Sequence, residues 1–140
     1  MPAPFSGGCA CGAIRYECSS EPVIMGNCHC RDCQRASGTG FSSAILVPAA
    51  AVKVLKGEPK YHSVTAASGR TARRGFCAEC GSPLFADNSS GSGMMAIKPA
   101  SLDDPSWFKP MGDIWTASAQ PWDRMDPNLP KFSKEPQMGS

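Results

Sequence analysis

Seven of the eight cysteines in this 140-residue chain fall into three tight groups: Cys9 with Cys11, then Cys28, Cys30 and Cys33, then Cys77 with Cys80. No other feature restricts the fold as strongly, because sulfurs two or three residues apart converge on one small target. Residues i and i+2 of an extended segment point to the same side, so Cys9 and Cys11 can share a metal ion. In Cys77-Ala78-Glu79-Cys80-Gly81 a tight turn aims both sulfurs inward, and the glycine supplies the positive φ that ends it. The N-terminus has neither a cationic start nor an apolar core, and no run of about 18 apolar residues occurs, so a soluble cytoplasmic protein without membrane contact is expected. In that reducing compartment, clustered cysteines read as metal ligands rather than disulfides.

The three groups divide unequally. Cys9, Cys11, Cys77 and Cys80 are expected to form a closed tetrahedral structural site that ties the first strand to a late segment, a cross-link that contributes on the order of 10 kcal/mol in small zinc peptides. Cys28, Cys30 and Cys33 lie too close together to serve different ions and are expected to share a second one. Three protein ligands leave one coordination position for water or substrate, as in catalytic zinc sites. Two residues could close it. Cys18 is a candidate fourth ligand, but it sits in an alternating strand where a buried free thiol is the ordinary reading. His29 is another, although neighbours in extended backbone point opposite ways. Iron also accepts four thiolates, and a dithiol redox role lacks the strand–helix–strand context that it requires.

Fourteen glycines and thirteen prolines, against a usual combined share of roughly 12%, predict a loop-rich molecule in need of staples. Strand-like patterns cover 13–18, 22–27, 42–47, 52–56, 60–65, 71–76, 83–86 and 94–98, short enough for antiparallel sheets. Helical turns are expected only over 29–37, ending at Gly38, and over 101–107 with Ser101 as N-cap. The chain is therefore mainly β. It is expected to form one zinc domain over 1–125, followed by an extended strap over 126–140. Trp122, Leu129 and Phe132 would dock that segment, and the last residues, 137–140, would fray. Exposed apolar residues of the strap could also serve a homodimer. The formal charge of +2 falls to about −1 once seven thiolates hold two divalent ions, and no basic stripe remains for nucleic acid. Arg70, Arg73 and Arg74, like Lys53, Lys56 and Lys60, read as solvated faces before phosphate contacts. Arg31, Asp32 and Arg35 beside the middle cluster could offset its charge, orient an anion or face solvent.

The order Gly7-Gly8-Cys9-Ala10-Cys11-Gly12, then Cys28-His29-Cys30-Arg31-Asp32-Cys33, then Cys77-Ala78-Glu79-Cys80-Gly81-Ser82-Pro83 resembles the glutathione-dependent formaldehyde-activating enzyme family, also called the centromere-protein-V family. Ser101-Leu102-Asp103-Asp104-Pro105 is similar to a late turn of that family. The resemblance spans about residues 5 to 125. It implies a β-tent fold with two zinc ions, Cys9, Cys11, Cys77 and Cys80 holding the structural one and Cys28, Cys30 and Cys33 the catalytic one. It also implies addition of glutathione to formaldehyde, giving S-(hydroxymethyl)glutathione, a carbon–sulfur lyase reaction in the reverse sense. No glutathione-binding residue carries over from the matched motifs.

The residues themselves support chemistry of this kind. A free thiol is about 3% ionised at pH 7 and nearly fully ionised on zinc, a gain of at most about 30-fold, so positioning must supply most of any acceleration. The expected reaction forms or breaks a bond between a small thiol and a small aldehyde or related adduct. His29 and His62 are the only imidazoles, and neither is assigned a catalytic role. Trp107, Trp115 and Trp122 could wall a pocket or pack the core. The rival reading is a non-enzymatic zinc module for protein binding, in which both ions are scaffolding.

Overall fold

A computed structural model describes residues 2–66, 69–88 and 92–135. Among them run ten strands, one helix and four short 3-10 turns. The strands are β1 (Phe5–Gly8), β2 (Arg15–Cys18), β3 (Ile24–Cys28), β4 (Ser42–Pro48), β5 (Val52–Lys56), β6 (Lys60–Thr65), β7 (Thr71–Phe76), β8 (Pro83–Asn88), β9 (Met94–Ile97) and β10 (Asp113–Ile114), and the helix is α1 (Arg31–Ser37). They form a three-stranded sheet, β1-β2-β5, and a seven-stranded sheet, β10-β3-β4-β9-β8-β7-β6. All eight sequence-predicted strands are present, mostly within two residues of their expected limits. The mainly β expectation therefore holds.

Two strands escaped the pattern reading. β1 reads Phe-Ser-Gly-Gly, with glycines where alternation would show; Gly7 is required there because a Cβ would lie 2.3 Å from the Ser101 carbonyl oxygen and 2.5 Å from the Tyr16 hydroxyl. β10 is two residues long and pairs with β3 in parallel, the exception to the expected antiparallel order. It is held on its other side by the chain near Lys131.

The core lies where the two sheets meet. Tyr16 from the small sheet stands edge-on to Phe85 of the large one, ring centroids 5.0 Å apart, and the Tyr16 hydroxyl bonds the Ser101 hydroxyl at 2.5 Å. Ile45, Val47, Leu84 and Ile97 are fully buried with them; Ile45 and Val47 alternate along β4 as a half-buried strand requires, whereas β8 buries the adjacent Leu84 and Phe85. Cys18 is a buried core thiol whose sulfur faces the Ser20 carbonyl at 3.6 Å. It joins neither cysteine group.

The helix begins later than expected, because Cys30 rather than a residue before His29 is its N-cap. The Cys30 sulfur accepts from the Cys33 N–H at 3.3 Å, and Gly38 closes the other end in the left-handed conformation at φ 75°. In the late turn the N-cap is Asp104, not Ser101. Asp104 accepts from the Ser106 N–H and opens the 3-10 turn Pro105–Trp107, whereas Ser101 ends the preceding turn, Pro99–Ser101. The strap departs from expectation in its means of attachment. Trp122 is 65% exposed and Phe132 40%, and the backbone does the docking: Asp113 N–H to Pro130 O, Phe132 N–H to Asp113 O, Trp115 N–H to Lys134 O. Residues 136–140, which include the expected frayed end, lie outside the described residues.

Candidate metal centres

Strand β1 ends one residue before Cys9, and the Cys9–Gly12 turn closes with Gly12 N–H on the Cys9 carbonyl. The Ile14 N–H points at the Cys9 sulfur at 3.2 Å. Opposite, Gly81 N–H returns to the Cys77 carbonyl at 2.8 Å, with Gly81 at φ 78°. The Ser82 hydroxyl links the two turns, accepting from the Ala10 N–H at 3.0 Å and lying 3.2 Å from the Cys80 sulfur. The Cys9 and Cys11 sulfurs stand 3.7 Å apart, and those of Cys11 and Cys77 3.8 Å apart. Four sulfurs about 2.3 Å from one tetrahedral zinc ion lie about 3.8 Å from each other. The donor set thus fits zinc, and this cluster can hold it. The hydroxyl and N–H of Ser82 favour the thiolate and bring Cys80 down to about 5.

Cys28, Cys30 and Cys33 come from three successive local structures: the end of β3, the N-cap of α1 and its first turn. Their sulfurs lie within 4.8 Å of one another, so this cluster can also hold a metal ion. Hydrogen bonds from the Cys28 and Cys33 thiols, helped by the Cys33 and Asp32 backbone, pull Cys30 down to about 2. The same bonds push Cys28 up.

The cluster opens on a cleft of about 630 Å³, within the range of small-molecule sites. Arg70, Arg74, Asp32, Trp115 and Glu135 are among its lining residues. Arg74 reaches the sulfurs, its Nη2 lying 3.9 Å from Cys33 Sγ. This corrects the reading of the arginines as a solvated face. β7 alternates, so Arg73 points away, pairing with Asp87 at 2.6 Å and covering the Tyr61 ring, whereas Ala72 and Arg74 face the cleft. The three lysines 53, 56 and 60 are exposed as expected. Of the flanking residues, Arg31 turns to the Gln34 side chain, Arg35 is exposed, and only Asp32 reaches the cleft.

His29 faces away from the sulfurs. It is 1% exposed and its ring bridges two carboxylates, Nε2 to Asp113 Oδ1 at 2.8 Å and Nδ1 to Asp123 Oδ2 at 2.5 Å. The second oxygen of Asp113, otherwise without a hydrogen-bond partner, has the Lys131 ammonium 3.0 Å away. Burial pushes the Asp113 carboxyl up, but His29, Lys131 and Asn27 outweigh it and hold the group below the usual carboxylate range. The Gln34 amide adds two more ties, to the His29 and Ser118 carbonyls. Sequence reasoning missed Asp113 and Asp123, since a lone aspartate carries no local signal of a partner more than eighty residues away. His62 is exposed on β6. Among the tryptophans, Trp115 lines the cleft, at a left-handed backbone position, φ 58°. Trp107 instead packs on Phe5, and Trp122 faces solvent.

Two polar residues at the edge of the cluster also went unread. Lys98 follows β9 and its ammonium donates to the Ser42 hydroxyl at 2.6 Å. Burial pulls Lys98 down, Arg74 adds to that, and the sulfurs of Cys33, Cys28 and Cys30 oppose it.

The fold is similar to that in the crystal structure of a Rhodobacter sphaeroides protein, with a TM-score of 0.59 over 91% of this chain and 99% of that one. Sequence identity is 17%, so the likeness concerns architecture. The family model described as glutathione-dependent formaldehyde-activating enzyme matches residues 4–118, a span that includes all three cysteine groups. On that match the chain belongs to the glutathione-dependent formaldehyde-activating enzyme family.

Proposed function

We propose that this protein forms and cleaves the bond between a thiol sulfur and the carbon of a small aldehyde, making S-(hydroxymethyl)glutathione from glutathione and formaldehyde as a carbon–sulfur lyase running in reverse. One observation carries the reading: three sulfurs, from Cys28, Cys30 and Cys33, gather at an open cleft, and neither Cys18 nor His29 joins them. A zinc ion there, when bound, supplies a Lewis acid with one position left for an exogenous ligand. A second zinc at Cys9, Cys11, Cys77 and Cys80 is structural in this reading.

The protein's own groups then have three tasks. Arg74 offsets the negative charge of the sulfurs from 3.9 Å, which favours an anionic thiol beside them. Arg74 on the wall of the cleft suits a thiol that carries a carboxylate, as glutathione does, since guanidinium groups bind carboxylates in a fixed fork, while Arg70 beside it is paired with Glu135 at 3.7 Å. Trp115, which also lines the cleft, adds apolar surface against which a tripeptide can pack. Orientation by these groups supplies the acceleration that thiol ionisation alone does not.

The zinc domain over 1–125, with 126–140 as an appended strap, and a cytoplasmic setting belong to the same reading, since free thiols as metal ligands suit a reducing compartment. Among the described residues no helix is long and apolar enough to cross a membrane. Exposed Trp122 and Phe132 are the residues through which two chains would meet, and sedimentation of a Trp122→Ser variant tests it.

The decisive comparison pairs Cys30→Ser with Cys80→Ser. Cys30→Ser should abolish turnover and thiol uptake while thermal stability changes little; Cys80→Ser should lower the melting temperature strongly. Equal unfolding by both variants would instead make both metals scaffolding and favour a protein-binding zinc module.

A further inference from the structure

We propose that Ser42, held in place by Lys98, donates the hydrogen bond that stabilises the aldehyde oxygen as the carbon–sulfur bond forms. The inference rests on the proposed function and adds a catalytic residue to it. Ser42 opens β4 directly opposite Cys28 in the strand register. It is 5% exposed and lines the cleft together with Cys28, Cys30 and Cys33. It also borders a second cavity of about 860 Å³, which Lys98 lines.

The direction of the hydrogen bond follows from the inventory of groups. An ammonium only donates, so at 2.6 Å the Ser42 oxygen must be the acceptor, and its own single proton points elsewhere. Among the described residues no protein group receives that proton. The next residue shows the contrast: Ser43 donates to Asn27 Oδ1 at 2.7 Å and has no proton left to offer a ligand. Buried hydroxyls ordinarily find a partner, so a donor that is buried, polarised by a cation and bordering the three-cysteine cluster is arranged for something that enters the cleft. The Lys98 backbone is itself pinned, its N–H bonded to the Leu84 carbonyl at 2.9 Å, which fixes where the ammonium can reach.

The chemistry needs such a donor. As the thiolate sulfur attacks the carbonyl carbon, a sulfur–carbon bond forms, the carbon–oxygen π bond breaks, and its electron pair moves to oxygen. The proton lost by the incoming thiol is balanced by the one that the oxygen gains, so thiol plus aldehyde gives the hydroxymethyl adduct with no net proton change. Charge gathers on that oxygen before the proton arrives. A preorganised donor at this point acts only in the transition state and the adduct, and removing one such donor from an enzyme costs roughly 100-fold or more in kcat. Lys98 touches no reacting atom and acts through Ser42, so it is a positioning residue.

The test uses the metal-loaded protein with metal content checked in every variant. Ser42→Ala is expected to lower kcat by roughly 100-fold while glutathione affinity, measured by calorimetry, stays within about twofold. Calorimetry also compares S-(hydroxymethyl)glutathione with S-ethylglutathione, which has a methyl group in place of the hydroxyl; wild type should prefer the hydroxymethyl form and Ser42→Ala should not. Ser42→Thr and Ser42→Val, equal in shape and differing in the hydroxyl, repeat the contrast should alanine disturb the strand. Lys98→Met should lower kcat with the aldehyde KM little changed, and Lys98→Arg should recover part of the loss. Unaltered kcat and an intact hydroxymethyl preference in Ser42→Ala and Ser42→Val would overturn the inference alone. Wild-type protein that neither binds glutathione nor turns over would overturn the proposed function, and this inference with it.

Discussion

Replacing His29 by leucine is expected to unfasten the segment around Asp123 from the junction between β3 and α1 that carries Cys28, Cys30 and Cys33. The imidazole and both carboxylates that it bridges are 1–2% exposed at their side chains. The two aspartates fare differently without it. Asp113 keeps Lys131 and Asn27, whereas the Asp123 carboxylate has its side-chain contact in His29 alone among the described residues. Removing one partner of a buried ionic pair costs about 3–5 kcal/mol, because the survivor is left dehydrated and unpaired. For a chain of this length the unfolding entropy makes that a fall of about 10–17 °C in melting temperature. The assay is thermal unfolding of the metal-loaded protein, run as a cycle with Asp123→Leu and the double variant. Coupling of about 2 kcal/mol between the two positions is expected, since leucine at both sites replaces the pair by apolar packing. Additivity within about 0.5 kcal/mol would refute the argument, and so would a single variant as stable as the parent.

Gly7→Ala places a Cβ 2.3 Å from a backbone oxygen, that of Ser101, which no rotamer change can relieve, so a loss of about 1–3 kcal/mol or more is expected in denaturant melts. Asp103 accepts from Arg15 and Ser6, and the Arg15 hydrogen bond, then that from Ser6, hold its carboxyl at about 2 against an unperturbed 3.8. A depressed folded-state value means stability that is present above pH 3.8 and lost as pH falls through about 2, so Asp103→Asn should be less stable than wild type at pH 6 and equal to it near the acid end. The pair is 39% and 48% exposed, which keeps the effect below about 1 kcal/mol; a difference that persists unchanged to the acid limit would assign it to shape rather than charge.

Much of the strand framework was legible because β4, β5, β6 and β7 carry alternating or β-branched residues over lengths bounded by glycine and proline, and the local signal agrees with the sheet. The missed strands lack that signal: β1 ends in two glycines, Gly7 dictated by the approach of Ser101 and Tyr16 and Gly8 by that of the Ile14 carbonyl, and β10 exists because the chain near Lys131 and β3 pin it from both sides. The cysteine groups were legible for the same local reason, as each lies within six residues. What surrounds them was not. Arg74, Lys98 and Ser42 reach the triad from β7, from the residue after β9 and from β4, and their side chains meet only once the seven-stranded sheet is assembled. Asp123 lies 94 residues from its partner His29, beyond any pattern of spacing. The strap misled for a related reason: bulky side chains suggested apolar docking, while its attachment runs through backbone hydrogen bonds, which every residue type can make.

Under the proposed function, the contrast between local and distant ligands also bears on why one fold would keep two metals with different tasks. Cys9 and Cys11 are separated from Cys77 and Cys80 by more than sixty residues, so a metal bound there would close a long loop between the small sheet and the large one. Cys28, Cys30 and Cys33 are fixed by a strand end, an N-cap and a first helical turn, with Gln34 and His29 bracing the same hairpin from the far side. A metal at this second place joins nothing that the chain has not already joined. Its ligands are therefore free to be three rather than four, since the fold does not depend on a closed shell there, and an exchangeable position can serve binding without being needed for cohesion. A catalytic ion is best carried by a segment that would stand without it, and the bracing of this hairpin by buried hydrogen bonds meets that condition.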